Sequence, residues 1–262
     1  MSENKFNIAI LIDGDNAQAK LLKETIAEVS KYGKATIRRI YGDWTSPVMN
    51  SWKTLINQHS INPIQKFSYT SGKNSTDSAL IIDAMDILHS KNVEGFCIVS
   101  SDSDYTGLAK RIREEGLFVM GIGEKKTPES FVQSCDIFTY TENITPKVIE
   151  EKEPKEPEQK TASRRRATLS KTEKTVKRTP KKKSFLTEKD NDTISKAFDI
   201  STDDTEIAYI STVGGNIRKI DPSFDTRTYN FASLSKLFEN LDEYEVIRNQ
   251  VGALNHPLVK RK

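Results

Sequence analysis

The sequence predicts an α/β protein: a three-layer α/β/α sandwich built on a parallel sheet, joined by a charged linker to a small C-terminal helix–turn–helix module with a β-wing. Three observations carry this. Over roughly the first 140 residues, short apolar runs alternate with amphipathic stretches, the pattern of strands joined by crossover helices. Two of those runs, NIAILI (7–12) and GFCIVS (95–100), are apolar at every position or nearly so, which fits central strands covered on both faces. The charge is also unevenly divided. Residues 1–146 carry 16 basic against 18 acidic side chains, residues 147–190 carry 15 against 8, and residues 191–262 carry 9 against 11. All of the positive excess therefore sits in the middle, +7 between two parts of −2 each.

The strands are read as NIAILI (7–12), ATIRRIY (35–41), INPIQKF (61–67), GFCIVS (95–100) and LFVMGIG (117–123). Helices fall between them at about 17–31, 48–59, 76–90 and 104–115, with a short one near 128–134 ahead of a last strand at 136–140. Residues 147–190 hold almost no large apolar side chains and carry Pro, Glu, Lys, Thr and Arg in blocks. They cannot bury enough surface to offset their ordering entropy and read as a disordered linker, acidic at 150–158 and basic at 160–183. The basic half is either a solvated tether or a track for a phosphate backbone.

Apolar periodicity returns after 191. Ile207, Tyr209, Ile210, Ile217 and Ile220 read as a helical segment interrupted by Gly214-Gly215. Phe231, Leu234, Leu237, Phe238 and Leu241 read as an amphipathic helix, and residues 243–247 as a strand. The expected organisation is thus 1–146, a linker at 147–190 and a second domain at 191–262.

Composition excludes several classes. The chain has 262 residues, 29% charged and 35% hydrophobic, and no window approaches the roughly 18 consecutive apolar residues of a membrane span. Its polar start runs directly into the first strand, so a secretory signal is disfavoured and a cytoplasmic location expected. Two cysteines, Cys97 and Cys135, without CxxC spacing, and three histidines exclude a zinc site or a disulfide framework.

Ligands of a parallel sheet lie beyond the carboxyl ends of its strands, and the residues just past those ends here are acidic. Asp13-Gly14-Asp15-Asn16 comes after the first strand, Ser101-Asp102-Ser103-Asp104 after the fourth, and the third helix opens with Ser75-Thr76-Asp77. Any one of these is explained as a helix cap. Together, Asp13, Asp102 and Asp104 crowd one crevice and repel each other unless a cation neutralises them. Oxygen ligands without histidine suit Mg²⁺ or Mn²⁺. Such a site matches phosphate chemistry, because the metal lowers the pKa of water and polarises a phosphoryl oxygen. Lys125 and Lys126, beyond the fifth strand, are candidates to meet substrate phosphates. Trp44 and Trp52 flank the crevice end and are read as core packing ahead of base stacking.

The order ILIDGDN (10–16), KNSTDSALIIDAM (73–85), IVSSDSDY (98–105), EGLFVMGIG (115–123) and TPESFVQSCDIFTYTENI (127–144) resembles the NYN domain, a PIN-like ribonuclease fold, in its LabA-like branch. The resemblance implies a metal-binding and catalytic set of Asp13, Asp77, Asp102 and Asp104, backed by Asn16, Ser101 and Asp83. Asp83 is read as a hydrogen-bonded helix residue ahead of a direct ligand.

Residues 203–262, above all DPSFDTRTYNFASLSKLF (221–238), resemble the OST-HTH or LOTUS winged helix, a module associated with RNA or RNA-processing partners. Its basic candidates are Arg218, Lys219, Arg227 and Lys236. The implied function is metal-dependent RNA hydrolysis with Mg or Mn as cofactor, the winged helix recruiting single-stranded or structured RNA or a protein partner, and no membrane. Two alternatives stand beside it: a catalytically silent RNA-binding or regulatory scaffold, and a haloacid dehalogenase-like phosphatase in which Asp13 and Asp15 form the DxD motif.

Overall fold

Six strands form one sheet in the order β3-β2-β1-β4-β5-β6, with every neighbouring pair parallel. They are β1 (Asn7–Asp13), β2 (Lys34–Gly42), β3 (Asn62–Gln65), β4 (Gly95–Val99), β5 (Phe118–Gly123) and β6 (Ile137–Tyr140). The helices between them are α1 (Leu22–Val29), α2 (Asn50–Gln58), α3 (Ser75–Ser90), α4 (Thr106–Glu114) and α5 (Glu129–Ser134), with α6 (Thr141–Ile144) after β6. The computed structural model describes residues 6–67, 75–146, 186–202, 206–248, 250–251 and 254–262. The linker assigned to 147–190 lies outside the described residues as far as 185.

Alternation along β1 shows why the sheet is covered twice. Ile8, Ile10 and Ile12 pack with Leu22 and Val29 of α1 and with Met49 and Trp52. Ala9 and Leu11 pack on the other face with Leu80 and Ala84 of α3, Leu108 and Ile112 of α4, and Phe131 of α5. The chain runs outward from β1 through β2 to β3, crosses back along α3, and continues from β4 on the other side of β1. That reversal opens a crevice at the carboxyl ends of β1 and β4.

The LFVMGIG run is β5 through Gly123, as its sequence predicts, and glycine is needed at its end. The reason is close approach: a Cβ at Gly123 would lie 2.5 Å from the Ser100 carbonyl oxygen and 2.8 Å from Thr127 Oγ1.

The C-terminal part holds α7 (Glu188–Ser201), β7 (Ile207–Tyr209), α8 (Ile210–Ile220), α9 (Leu234–Glu239), β8 (Tyr244–Ile247), β9 (Gln250–Val251), β10 (Leu254–Asn255) and β11 (Leu258–Arg261). β11 pairs antiparallel with both β7 and β8, and β9 with β10, which gives helices followed by a strand wing. Four sequence readings change here. The core begins at Leu186, and α7 starts behind a capping box in which Thr187 and Asp190 satisfy each other's backbone N–H, so the folded part starts ahead of 191. Ile207–Tyr209 is a strand and not part of a helix, because it pairs with residues 258–260. α8 then runs unbroken through Gly214-Gly215; a Cβ on Gly214 would come within 3.0 Å of Leu234 Cδ2, so the glycine lets α9 approach. The last helix is shorter than its periodicity suggests, because Asn230 adopts φ 64° and Ser233 caps α9 by accepting from the Lys236 N–H.

The residues up to Thr145 and from Leu186 pack against each other in one compact unit. The segment between α8 and α9 provides the seam. The Pro222 carbonyl accepts from the Phe138 N–H of edge strand β6 at 2.9 Å, which shields that edge. Arg227 reaches Glu28 of α1, and Asn143 donates to Thr228 Oγ1 at 2.9 Å.

Candidate active site

The crevice is built outward from Asp13. Register places Ile12 beside Val99, so Asp13 and Ser100 emerge side by side at the ends of the two central strands. Asp13 has no solvent exposure. Its Oδ2 accepts from Asn16 Nδ2 at 2.7 Å and Ser100 Oγ at 2.9 Å, and its Oδ1 accepts from the Asp15 N–H at 3.3 Å. A polar group shut from water needs such partners.

Ser100 links the two strand ends, since the hydroxyl that donates to Asp13 also accepts from the Asp102 N–H at 3.1 Å. Asp102 then caps the next turn by accepting from the Asp104 N–H at 3.0 Å. Ser101 Oγ accepts from the Glu124 N–H at 2.9 Å and fastens this loop to the end of β5. Thr76, in the first turn of α3, donates to Asp15 Oδ2 at 2.9 Å and draws the helix start over the end of β1. Asp77 is next on that turn and accepts from the Tyr105 hydroxyl at 2.7 Å.

The result is a cluster in which carboxylate oxygens of Asp77, Asp102 and Asp104 lie within 4.8 Å of one another, the first two half-buried and the third exposed. Asp13 is near enough for its charge to act on Asp77. Burial pushes the Asp77 carboxyl up; the Tyr105 hydroxyl opposes this, while the charges of Asp13, Asp102 and Asp104 add to it. A cation relieves the charge that pushes Asp77 up. The all-oxygen donor set, without histidine or cysteine, fits a hard divalent ion. Asp77, Asp102 and Asp104 would hold it.

The remaining candidates disperse. Asn16 and Ser101 support the crevice through their bonds to Asp13 and Glu124. Asp83, two turns along α3 from Asp77, is taken by Arg39 and by the Tyr41 hydroxyl, both on β2, and braces helix to sheet. On the loop after β5, Lys126 pairs with Glu124 at 2.8 Å and the Lys125 N–H donates to Glu142 at 3.0 Å. Arg218 and Lys219 are exposed in the last turn of α8, and Lys236 pairs with Glu239 at 2.8 Å. Arg227 is committed to Asp225 and Glu28. Trp52 is buried and donates to the Gly14 carbonyl; Trp44 donates to the Ile64 carbonyl. Cys97 and Cys135 are buried free thiols, the latter pushed up by burial to about 12.

Sequence reasoning missed Ser100, Thr76 and Tyr105. Each had a faint signal: a small hydroxyl closing a wholly apolar strand, a threonine opening a helix, and an aromatic directly after the acidic loop.

A parallel α/β/α sheet with aspartates at the ends of its central strands and at the start of its crossover helix defines a PIN-like domain, here followed by a winged helix. The chain belongs to the NYN domain family, which matches residues 7–144, and the OST-HTH/LOTUS domain matches residues 183–256. No curated protein matches the chain. A crystal structure of a protein of unknown function from Vibrio parahaemolyticus RIMD 2210633 is similar at 20% identity and a TM-score of 0.44, over 53% of this chain and 94% of that one. NYN domains are typically nucleases and OST-HTH/LOTUS domains bind RNA, so the two together support a ribonuclease or RNA-binding role. Among the described residues no helix is long and apolar enough to cross a membrane.

Proposed function

We propose that the chain is a divalent-metal-dependent ribonuclease that hydrolyses RNA phosphodiester bonds in the crevice beyond β1 and β4. The observation that supports this is the convergence of Asp77, Asp102 and Asp104 beside the buried Asp13 in a chain of this family. Mg²⁺ or Mn²⁺ there supplies charge neutralisation and the activation of water and of the phosphoryl oxygen. The protein's part is to hold the acids in place. Ser100 fixes Asp13 and the Asp102 backbone together, Asp102 fixes Asp104, and Thr76 fixes the turn that carries Asp77. Asp13, shut from solvent and held by Asn16, Ser100 and the Asp15 N–H, fixes the floor of the crevice at the end of β1. The winged helix recruits RNA.

The phosphatase alternative needs Asp13 as a nucleophile and Asp15 as a proton donor. Asp13 is buried and held by Asn16 and Ser100, and Asp15 is held by Thr76, which suits neither task.

The test is cleavage of a labelled single-stranded RNA with Mg²⁺, with Mn²⁺ and with chelator. Cleavage should require metal and fall to background in Asp102→Asn and Asp104→Asn. Asparagine keeps the Asp102 cap, so Asp102→Asn should also raise the melting temperature of the metal-free protein by relieving repulsion. Undiminished cleavage by Asp102→Asn at saturating Mn²⁺ would overturn the assignment. RNA bound but never cut would favour the silent scaffold, and turnover of a small phosphate monoester lost in Asp13→Asn would favour the phosphatase.

A further inference from the structure

The turn that carries two of the clustered acids also carries an aromatic whose hydroxyl reaches the third. Asp102 caps the turn Ser103–Tyr105, Asp104 lies within it, and Tyr105 ends it. The Tyr105 side chain is wholly buried in the core layer of α3, α4 and α5, with its ring 6.3 Å from that of Phe131. Only its hydroxyl meets polar groups. It donates to Asp77 Oδ1 at 2.7 Å, and Asp13 is the other carboxylate it senses. A ring needed only for packing would place no donor there.

We propose that Tyr105 is a positioning residue for the cation, holding one oxygen of Asp77 so that this carboxylate meets Asp102 and Asp104 in a single orientation. The physical reason is rotational freedom. Asp77 stands in the first turn of a helix, half-buried, among carboxylates that repel it. Without a donor its side chain would swing toward solvent to escape them. A hydrogen bond from a ring fixed in the core holds it at the crevice instead, as hydrogen-bond partners of metal ligands generally do. Because Tyr105 and Asp104 share one turn, a shift of that turn moves the third acid with the other two. This inference rests on the proposed cation site.

The experiment is Mn²⁺ binding to the full chain by isothermal titration calorimetry, with no RNA present. Tyr105→Phe keeps the ring and removes the hydroxyl, and should weaken the Mn²⁺ Kd by about 10- to 100-fold. Phe131→Leu loosens the same ring packing and leaves the hydroxyl, and should bind Mn²⁺ as the wild type does. Asp77→Asn should lose binding. If Asp77→Asn loses binding while Tyr105→Phe keeps the wild-type Kd, the positioning role is wrong and the cation site stands. If Phe131→Leu weakens binding as much as Tyr105→Phe, packing is the cause and the positioning role again fails. If Asp77→Asn binds Mn²⁺ normally, the cation site itself is misplaced and Tyr105 has nothing to position.

Discussion

Removing the Arg227 side chain should loosen the C-terminal module from the sheet domain without touching the acidic crevice. Arg227 makes a two-pronged contact with Glu28, Nη1 to Oε2 at 3.0 Å and Nη2 to Oε1 at 2.8 Å, and a further one with Asp225. The Glu28 side chain is 5% exposed and that of Arg227 32%. Loss of one partner from a buried ion pair costs about 3–5 kcal/mol, because the other charge is left in a poor medium. Glu28 keeps Lys31, whose side chain is 54% exposed, at 2.5 Å. Arg227→Ala therefore belongs at the low end, about 3 kcal/mol. In a unit of this size that lowers the melting temperature by about 6–12 °C.

Acidity gives the prediction a second signature. Burial pushes the Glu28 carboxyl up, but Arg227 and Lys31 more than offset it and hold the group below its ordinary value of 4.5. A carboxylate whose pKa is depressed in the folded state contributes stability that is present above the unfolded pKa and is lost as pH falls through the folded one. The gap between wild type and Arg227→Ala should thus be complete at pH 7 and narrow as the pH drops below about 4. Melting curves followed by circular dichroism at pH 7, 5 and 3.5 measure both effects. Equal melting temperatures at pH 7, together with a loss of RNA affinity, would refute the reasoning and return Arg227 to the phosphate-binding patch its sequence context suggests.

Two other perturbations separate bracing from binding. Asp83→Ala leaves the buried Tyr41 hydroxyl and Arg39 without their partner and should cost about 2 kcal/mol, read as a lower melting temperature, while the Mn²⁺ titration stays unaltered; a lost Mn²⁺ site would make Asp83 a ligand. Deleting residues 160–183 should weaken RNA binding and flatten its salt dependence, because each neutralised phosphate contributes a slope of roughly −0.7 on single strands. An unaltered slope in filter binding across a salt series would make that segment a spacer.

The sheet domain was legible because its signals are local and redundant. Each strand is a short apolar run, each helix an amphipathic one, and the doubly apolar NIAILI and GFCIVS mark the two strands that end at the crevice. The C-terminal module was less legible because its strands are decided at a distance. Ile207–Tyr209 carries apolar residues at spacings that suit a helix, and only its distant partner strand, Leu258–Arg261, makes it β. The start of α7 is a local signal, Thr187-x-x-Asp190, masked by the charge of its surroundings. The seam between the two parts is invisible to charge counting: two parts of −2 each give no reason to associate, and the association is made by paired groups, Arg227 with Glu28, Lys189 with Glu129, Asn143 with Thr228 and the Pro222 carbonyl with an edge strand.

The same contrast runs through the candidate site. Carboxylates advertise themselves, since several after strand ends in one crevice conflict electrostatically and the conflict can be read from the chain alone. The groups that resolve the conflict are neutral donors, Ser100, Thr76 and Tyr105, whose identities are ordinary for a strand end, a helix start and a core aromatic. They become informative only when the fold shows where each hydroxyl points. Three of the basic candidates, Lys126, Arg227 and Lys236, show the mirror image of this. Lysine and arginine in a loop look like phosphate contacts until their acidic neighbours are placed, and here Glu28, Glu124, Asp225 and Glu239 take up Arg227, Lys126 and Lys236. A cation in this chain has to be judged by what lies across from it in space, and by that measure Arg218 and Lys219 of α8 are the residues on which a phosphate contact by the winged helix should be sought first.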